Sequence, residues 1–271
     1  AMVEKTKALE AYQEAGEDPK ALECIPMLKR SDIKREAAKI INEELMVDDS
    51  LFLYHDVCTN GIGYVDLMFK TDSIAPEQIP YLGLLKSVLG YVDTENYTYG
   101  ELFNEINANT GGINCGVEVF DRADSTEEFQ AMFSVRGKAL YTKMDFLFKM
   151  IGEILNSSKL EDTKRLYEIV ASVKSRAQVN LTGAGHSTAV LRAAAYSSPM
   201  AAFQDEMAGI GYYQFIEKLE KDFEQRKEET VEELCKLMKK ILRPENFMIS
   251  YTGERESLET VQKLAGAVKA G

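Results

Sequence analysis

Ile113-Asn114-Cys115-Gly116-Val117-Glu118-Val119-Phe120 alternates: Ile113, Cys115, Val117 and Val119 fall to one side, Asn114, Gly116 and Glu118 to the other. A few residues on, Phe129-Gln130-Ala131-Met132-Phe133-Ser134-Val135 repeats the pattern, with Phe129, Ala131, Phe133 and Val135 in step. A period of two puts one set of side chains on a core and leaves the other outside, so both runs read as strands of a half-buried sheet.

The neighbouring segments change period. Upstream, Leu102, Phe103 and Ile106 recur at helical spacing over 99–108, and Gly111-Gly112 ends that helix. Before it, Pro76 and Glu77 open a helix reaching about Val92, with Leu82, Leu85, Val88 and Leu89 on its stripe. Earlier still, Leu51–His55 and Tyr64–Thr71 read as strands. Asn60-Gly61 between them predicts a hairpin. Downstream, apolar stripes predict helices over 139–155 and 160–181, with shorter helical pieces at 187–195 and 199–209. A long charged helix follows within 212–242 and stops at Arg243-Pro244; Glu217 and Lys221 sit one turn apart on it. Phe247–Thr252 reads as a last strand and 257–270 as a last helix. The N-terminal region predicts a helix over 4–15, then a proline-restrained connector over 21–30. The charged stretch 32–44 reads as a turn or strand entry. The sum is an α+β chain: a mainly antiparallel sheet of about five or six strands, with helices 139–155 and 160–181 packed on one face.

Composition narrows the function classes. The chain has 271 residues, 45% apolar and 28% charged, which are globular values. Its net charge of −12 disfavours nucleic acid and anionic membrane as partners. The uncharged run Ala177–Leu191 is too short and too polar to span a bilayer. AMVEKTKALE lacks the apolar core of an export signal. Cys24, Cys58, Cys115 and Cys235 form no C-x-x-C pair, so they read as reduced thiols of a cytoplasmic protein.

Chemistry-bearing patterns are sparse. His55 lies inside an apolar strand run and reads as a packed or edge residue. His186, in Gly183-Ala184-Gly185-His186-Ser187, enters a helix from a loop. That is a better catalytic place, though a structural or capping role is the reading favoured for it. Neither histidine has a ligand partner at i+3 to i+5, and the sequence contains no H-E-x-x-H or H-x-x-E-H. Gly61-x-Gly63 precedes a strand and Gly111-Gly112 follows a helix, so neither is a phosphate loop. Acidic pairs such as Asp48-Asp49 and Glu232-Glu233 sit in polar surroundings and read as solvated faces.

Longer segments carry a resemblance. Thr98-Tyr99-Gly100-Glu101-Leu102-Phe103, followed by Thr110-Gly111-Gly112-Ile113, resembles a stretch of the pitrilysin/insulysin-type zinc metallopeptidases, in particular the presequence-protease subfamily. Ile25-Pro26-x-Leu28-x-x-x-Asp32-Ile33 resembles the exit from that subfamily's helical hairpin linker. Gly183-x-Gly185-His186-Ser187 and Gly209-Ile210-Gly211-Tyr212-Tyr213 are similar to segments of its third domain. The resemblance covers about residues 4–271.

It implies a non-catalytic pitrilysin-type α+β domain at 31–271, preceded at 1–30 by the end of the hairpin linker. In such enzymes the first domain carries H-x-x-E-H on a helix comparable to Leu82–Gly90. Leu82 and Lys86 then stand where the ligand histidines would be, and Leu85 stands where the catalytic glutamate would be. The implied function is therefore a chamber-forming domain of a zinc-dependent hydrolase of unstructured peptides. No catalytic, cofactor or metal residue is expected in this segment; zinc would be the parent enzyme's. The implied partners are the parent's remaining domains and an unstructured peptide. A fourth domain, which in the family supplies an Arg and a Tyr to the scissile peptide, would follow Gly271. An independent protein-interaction module and a Cys/His hydrolase are the alternatives.

Overall fold

The computed structural model describes residues 2–16, 18–37, 39–125 and 127–270. The chain divides into two units, residues 1–40 and 41–271. The first contains α1 (Met2–Glu14) and α2 (Pro19–Glu23), the latter capped by Asp18. Every described side chain from 2 to 40 is exposed.

In the second unit the two alternating runs lie side by side. Its six strands are β1 (Glu43–Val47), β2 (Ser50–Asp56), β3 (Ile62–Lys70), β4 (Ile113–Asp121), β5 (Phe129–Leu140) and β6 (Phe247–Gly253). They form one sheet in the order β1-β2-β6-β3-β5-β4. β4 and β5 are antiparallel, with Cys115 opposite Val135 and Val117 opposite Phe133. β1–β2, β3–β5 and β3–β6 are also antiparallel, whereas β2–β6 is parallel. The expected class, α+β with a mainly antiparallel sheet, is the observed one.

The predicted hairpin between Leu51–His55 and Tyr64–Thr71 is not formed, because β6 lies between β2 and β3. The Asn60-Gly61 signal is locally sound: both residues have positive φ, and Ile62 N donates to the Thr59 carbonyl. A tight turn does not force the flanking strands to pair with each other, and β6 supplies apolar Ile249 and Tyr251 to both neighbours. A two-residue hairpin instead joins β1 to β2 through Asp48 and Asp49, at φ 46° and 65°, with Val47 opposite Ser50. Aspartate tolerates the left-handed region well enough to serve there.

One face of the sheet is apolar and covered. Phe52 and Tyr54, Ile249 and Tyr251, Val65 and Leu67, and Phe133 and Val135 belong to a single core. The helices of this unit are α3 (Ile79–Val88), α4 (Tyr99–Asn109), α5 (Met144–Ser157), α6 (Thr163–Gly183), α7 (Gly185–Ala194), α8 (Pro199–Ala208), α9 (Ile210–Lys221), α10 (Phe223–Ile241) and α11 (Leu258–Ala270). Residues 139 and 140, expected in a helix, extend β5 instead. α5 then presses its Leu147 onto Gly137, where a Cβ would lie 2.6 Å from Leu147 Cδ1. α3, α8 and α11 also meet the sheet.

Of the two helices expected on the sheet, α5 lies there and α6 packs against α3, α9 and α10. The buried residues of α6, Leu166, Ile169, Val170 and Val173, recur every three to four positions, a narrow seam suited to neighbouring helices. The charged stretch 212–242 is two helices, α9 and α10, separated at Asp222.

Candidate functional site

α3 is the helix on which a metal motif would sit in an active domain of the resembled family. Its sequence, Ile-Pro-Tyr-Leu-Gly-Leu-Leu-Lys-Ser-Val, is apolar on nearly every side, so it must be surrounded rather than half exposed. α6, α8, α9 and α10 all pack on it. Tyr81 meets Phe215 of α9 edge to face, with ring centroids 4.8 Å apart, and its hydroxyl accepts from the Arg226 guanidinium at 2.9 Å. At Gly83 a Cβ would lie 2.5 Å from the Met207 carbonyl oxygen and 2.8 Å from the Tyr212 ring, so only glycine lets α8 and α9 approach this closely.

Leu82 is 0% exposed and Leu85 1%. Their side chains are aliphatic and enclosed by other helices, so they do not fit a zinc ion. Lys86 is part-buried, and burial lowers its pKa, with Glu118 opposing. An ammonium repels a divalent cation. Among the described residues, no group of three or more His, Cys, Asp or Glu is arranged to hold a metal.

The polar face of the sheet holds what sequence reading missed. Arg136 Nε donates to Asp66 Oδ2 at 2.7 Å, and its Nη1 lies 3.1 Å from Glu118 Oε1. Asp66 Oδ1 is buried without a hydrogen-bond partner. Burial raises the Asp66 pKa, and Arg136 counteracts it. Asp66 and Arg136 line a groove of about 440 Å³ together with Tyr64, Asn114 and Lys138. The register that joins them, Asp66 opposite Arg136 and Asn114 opposite Arg136, runs across three strands. Period two places each on the outer face; only the strand order brings them together. The groove offers donors and acceptors of both signs.

The histidines are placed apart. His186 is exposed on α7. His55 is tied across strands: its Nδ1 lies 2.7 Å from the Ile41 carbonyl oxygen, so this nitrogen carries the proton, and Nε2, 3.2 Å from Ser250 Oγ, accepts from the hydroxyl. A carbonyl, rather than a carboxylate, orients the ring, which leaves the imidazolium of an acyl-transfer reaction without its stabilising charge.

Two quoted motifs have structural reasons. Thr98 caps α4 and Glu101 returns the bond, Thr98 N donating to Oε2 at 3.0 Å. In Gly209-Ile210-Gly211, the Asp205 carboxylate accepts from Ile210 N at 3.0 Å and Gly211 N at 3.2 Å, and from Arg192 Nη1 at 2.6 Å. Asp205 is 0% exposed, and a Cβ on Gly209 would run into it. Beside the Asn60-Gly61 turn, the Glu254 carboxylate accepts from the N–H groups of Thr59, Asn60 and Gly61 and from the Tyr141 hydroxyl. These bonds, Tyr141's foremost, hold its pKa down at about 2.

Known proteins resemble the chain along nearly its whole length. It is similar to Protein HypA of Clostridium perfringens, 34% identical over 262 residues, which cover 97% of this chain and 27% of that protein. It is similar to Presequence protease 1, chloroplastic/mitochondrial, of Arabidopsis thaliana, 27% identical over 258 residues, covering 95% and 24%. The chain thus spans about a quarter of the length of these curated relatives. Among solved structures, a peptidase M16 inactive domain from Pseudomonas fluorescens superposes with a TM-score of 0.55 at 15% identity, covering 84% of this chain and 50% of that one. A conserved protein of Enterococcus faecalis V583 gives 0.60 at 13%, covering 84% and 52%. Both likenesses concern the fold. The model of the family described as associated with peptidase M16, subfamily C, matches residues 1–219. The chain belongs to that family, as a non-catalytic domain of the pitrilysin type.

Proposed function

We propose that this chain is a chamber-forming domain of a zinc-dependent peptidase that degrades unstructured peptides, the metal and the hydrolytic activity residing in other domains of the parent. The observation that carries this reading is the burial of Leu82 and Leu85. The helix that would hold zinc in an active domain is here a core helix. The polar sheet face supports a wall role, because its groove presents hydrogen-bonding groups of both signs that suit an extended backbone. The partners are then the remaining domains of the parent and a peptide substrate, with neither nucleic acid nor membrane. No described helix is long and apolar enough to cross a membrane.

Residues 1–30 take the role of the hairpin linker's end. Met27 and Leu28 are 81% and 86% exposed, and a segment that buries none of its own described side chains suits a connector that rests on other parts of a parent. The four free thiols support a reducing compartment, and the cytoplasm is the placement we favour.

Reassembly tests the proposal. A fluorogenic unstructured peptide is incubated with the chain, with the separately expressed N-terminal half of the parent, and with both halves, the fourth domain included. Chelator-sensitive turnover should appear in the full mixture, since substrate must be held beside the metal by both halves. Equal turnover by the N-terminal half alone would remove the chamber role. Thiol-reagent-sensitive turnover by the chain alone would favour a Cys hydrolase instead.

A further inference from the structure

A second cavity, of about 260 Å³, opens among α3, α6, α7 and the start of α9. Its lining divides by chemistry. Val173, Ala177 and Leu181 of α6 form an apolar wall, while Arg176, Asn180 and Tyr212 bring polar groups. Arg176 and Asn180 stand one helical turn apart, so both heads emerge on the same side of α6. Among the described residues, neither side chain has an ion-pair or hydrogen-bond partner. Tyr212 is 5% exposed, and its buried hydroxyl completes no hydrogen bond. The Ser87 hydroxyl on the same lining donates to the Gly83 carbonyl instead, at 3.3 Å. Buried hydroxyls are nearly always satisfied, so this one marks a place where an acceptor is wanted.

Charge points the same way. Among the described residues, no Asp or Glu lines the cavity, in a chain with 44 of them. The nearby Asp205 carboxylate is already committed to Arg192 and to the N–H groups of Ile210 and Gly211. Those two N–H groups are therefore not available to a ligand. What remains is one uncompensated guanidinium, a planar fork that matches a carboxylate with two parallel hydrogen bonds.

We propose that this cavity binds a small monocarboxylate with an aliphatic tail, the carboxylate on Arg176 and Asn180 and the tail against Val173, Ala177 and Leu181. The volume lies below the range of drug-sized pockets, which suits an acylated amino acid or a similar short acid. The inference goes beyond the chamber reading and does not depend on it, because every group it uses belongs to this chain.

The 271-residue chain, isotopically labelled, is titrated with N-acetyl-L-leucine and followed by its amide resonances. Saturable shifts should centre on residues 173–181 and 208–212, with a dissociation constant on the order of 1 mM or below. N-acetyl-L-leucinamide, which lacks the charge, and inorganic phosphate, which lacks the tail, should each bind at least about tenfold more weakly. Arg176→Gln, a surface change, should weaken N-acetyl-L-leucine by about tenfold or more. Tyr212→Phe deletes a hydroxyl that completes no bond in the fold, so it should fold normally and still lose affinity. Absence of saturable shifts up to about 10 mM would overturn the proposal. So would equal binding of the amide or the phosphate, or an affinity indifferent to Arg176→Gln.

Discussion

Leu85→Glu, alone or with Leu82→His and Lys86→His to rebuild H-x-x-E-H, should unfold the domain rather than give it a metal site. Leu85 is 1% exposed and Leu82 is 0% exposed, both inside the main core. Removing a buried leucine costs about 2–5 kcal/mol before anything replaces it. A carboxylate without a partner in the same space adds several kcal/mol more, or takes up a proton. The total, on the order of 5 kcal/mol or above, rivals the whole stability of an ordinary domain. Lys86→His alone should change stability by less than about 1 kcal/mol, because Lys86 is only part-buried and makes no ion pair among the described residues. Urea denaturation followed by circular dichroism separates these outcomes. A triple variant that keeps its fold and binds zinc tightly would show that α3 retains a usable metal face.

The second large effect is expected at Asp205. Asp205→Ala removes the acceptor for two N–H groups at the start of α9 and the ion pair with Arg192. Each hydrogen bond to a charged group contributes about 1.5–3 kcal/mol, and a buried donor left alone costs a similar amount. The Arg192 side chain is 38% exposed and can rehydrate, which moderates the loss. A destabilisation of about 3 kcal/mol should result, read as a lower denaturation midpoint at unchanged slope. Asp205→Asn, which keeps one acceptor oxygen, should lose roughly half of that. If Asp205→Ala costs less than about 1 kcal/mol, the junction of α8 and α9 is held by packing alone.

Local signals are legible in the sequence where neighbours along the chain settle the structure. Alternation identifies β4 and β5, and helical spacing identifies α4 and α5 to within a few residues. The sheet order is not legible, because β6 comes about 180 residues after the Asn60-Gly61 turn and still inserts between the strands on either side of it. A turn signal reports a reversal of the chain and says nothing of a distant strand inserted beside it. The break at Asp222 is hidden for a related reason: no Gly or Pro marks it. The replaced motif positions at Leu82, Leu85 and Lys86 can be read from the sequence. That α6, α8, α9 and α10 surround their helix cannot, since apolar character fits a core helix and a docking helix equally. The cluster of Asp66, Arg136 and Glu118 depends on two registers at once, β3 with β5 and β5 with β4, and the pattern within one strand encodes neither.

Zinc content tests the central claim most directly. The purified chain is supplied with zinc, dialysed against metal-free buffer and analysed for bound metal per chain. With aliphatic side chains at Leu82 and Leu85 and an ammonium at Lys86, the chain should retain far less than one equivalent. One tightly held zinc per chain, lost on mutation of any His, Cys, Asp or Glu, would contradict the assignment of this domain as non-catalytic.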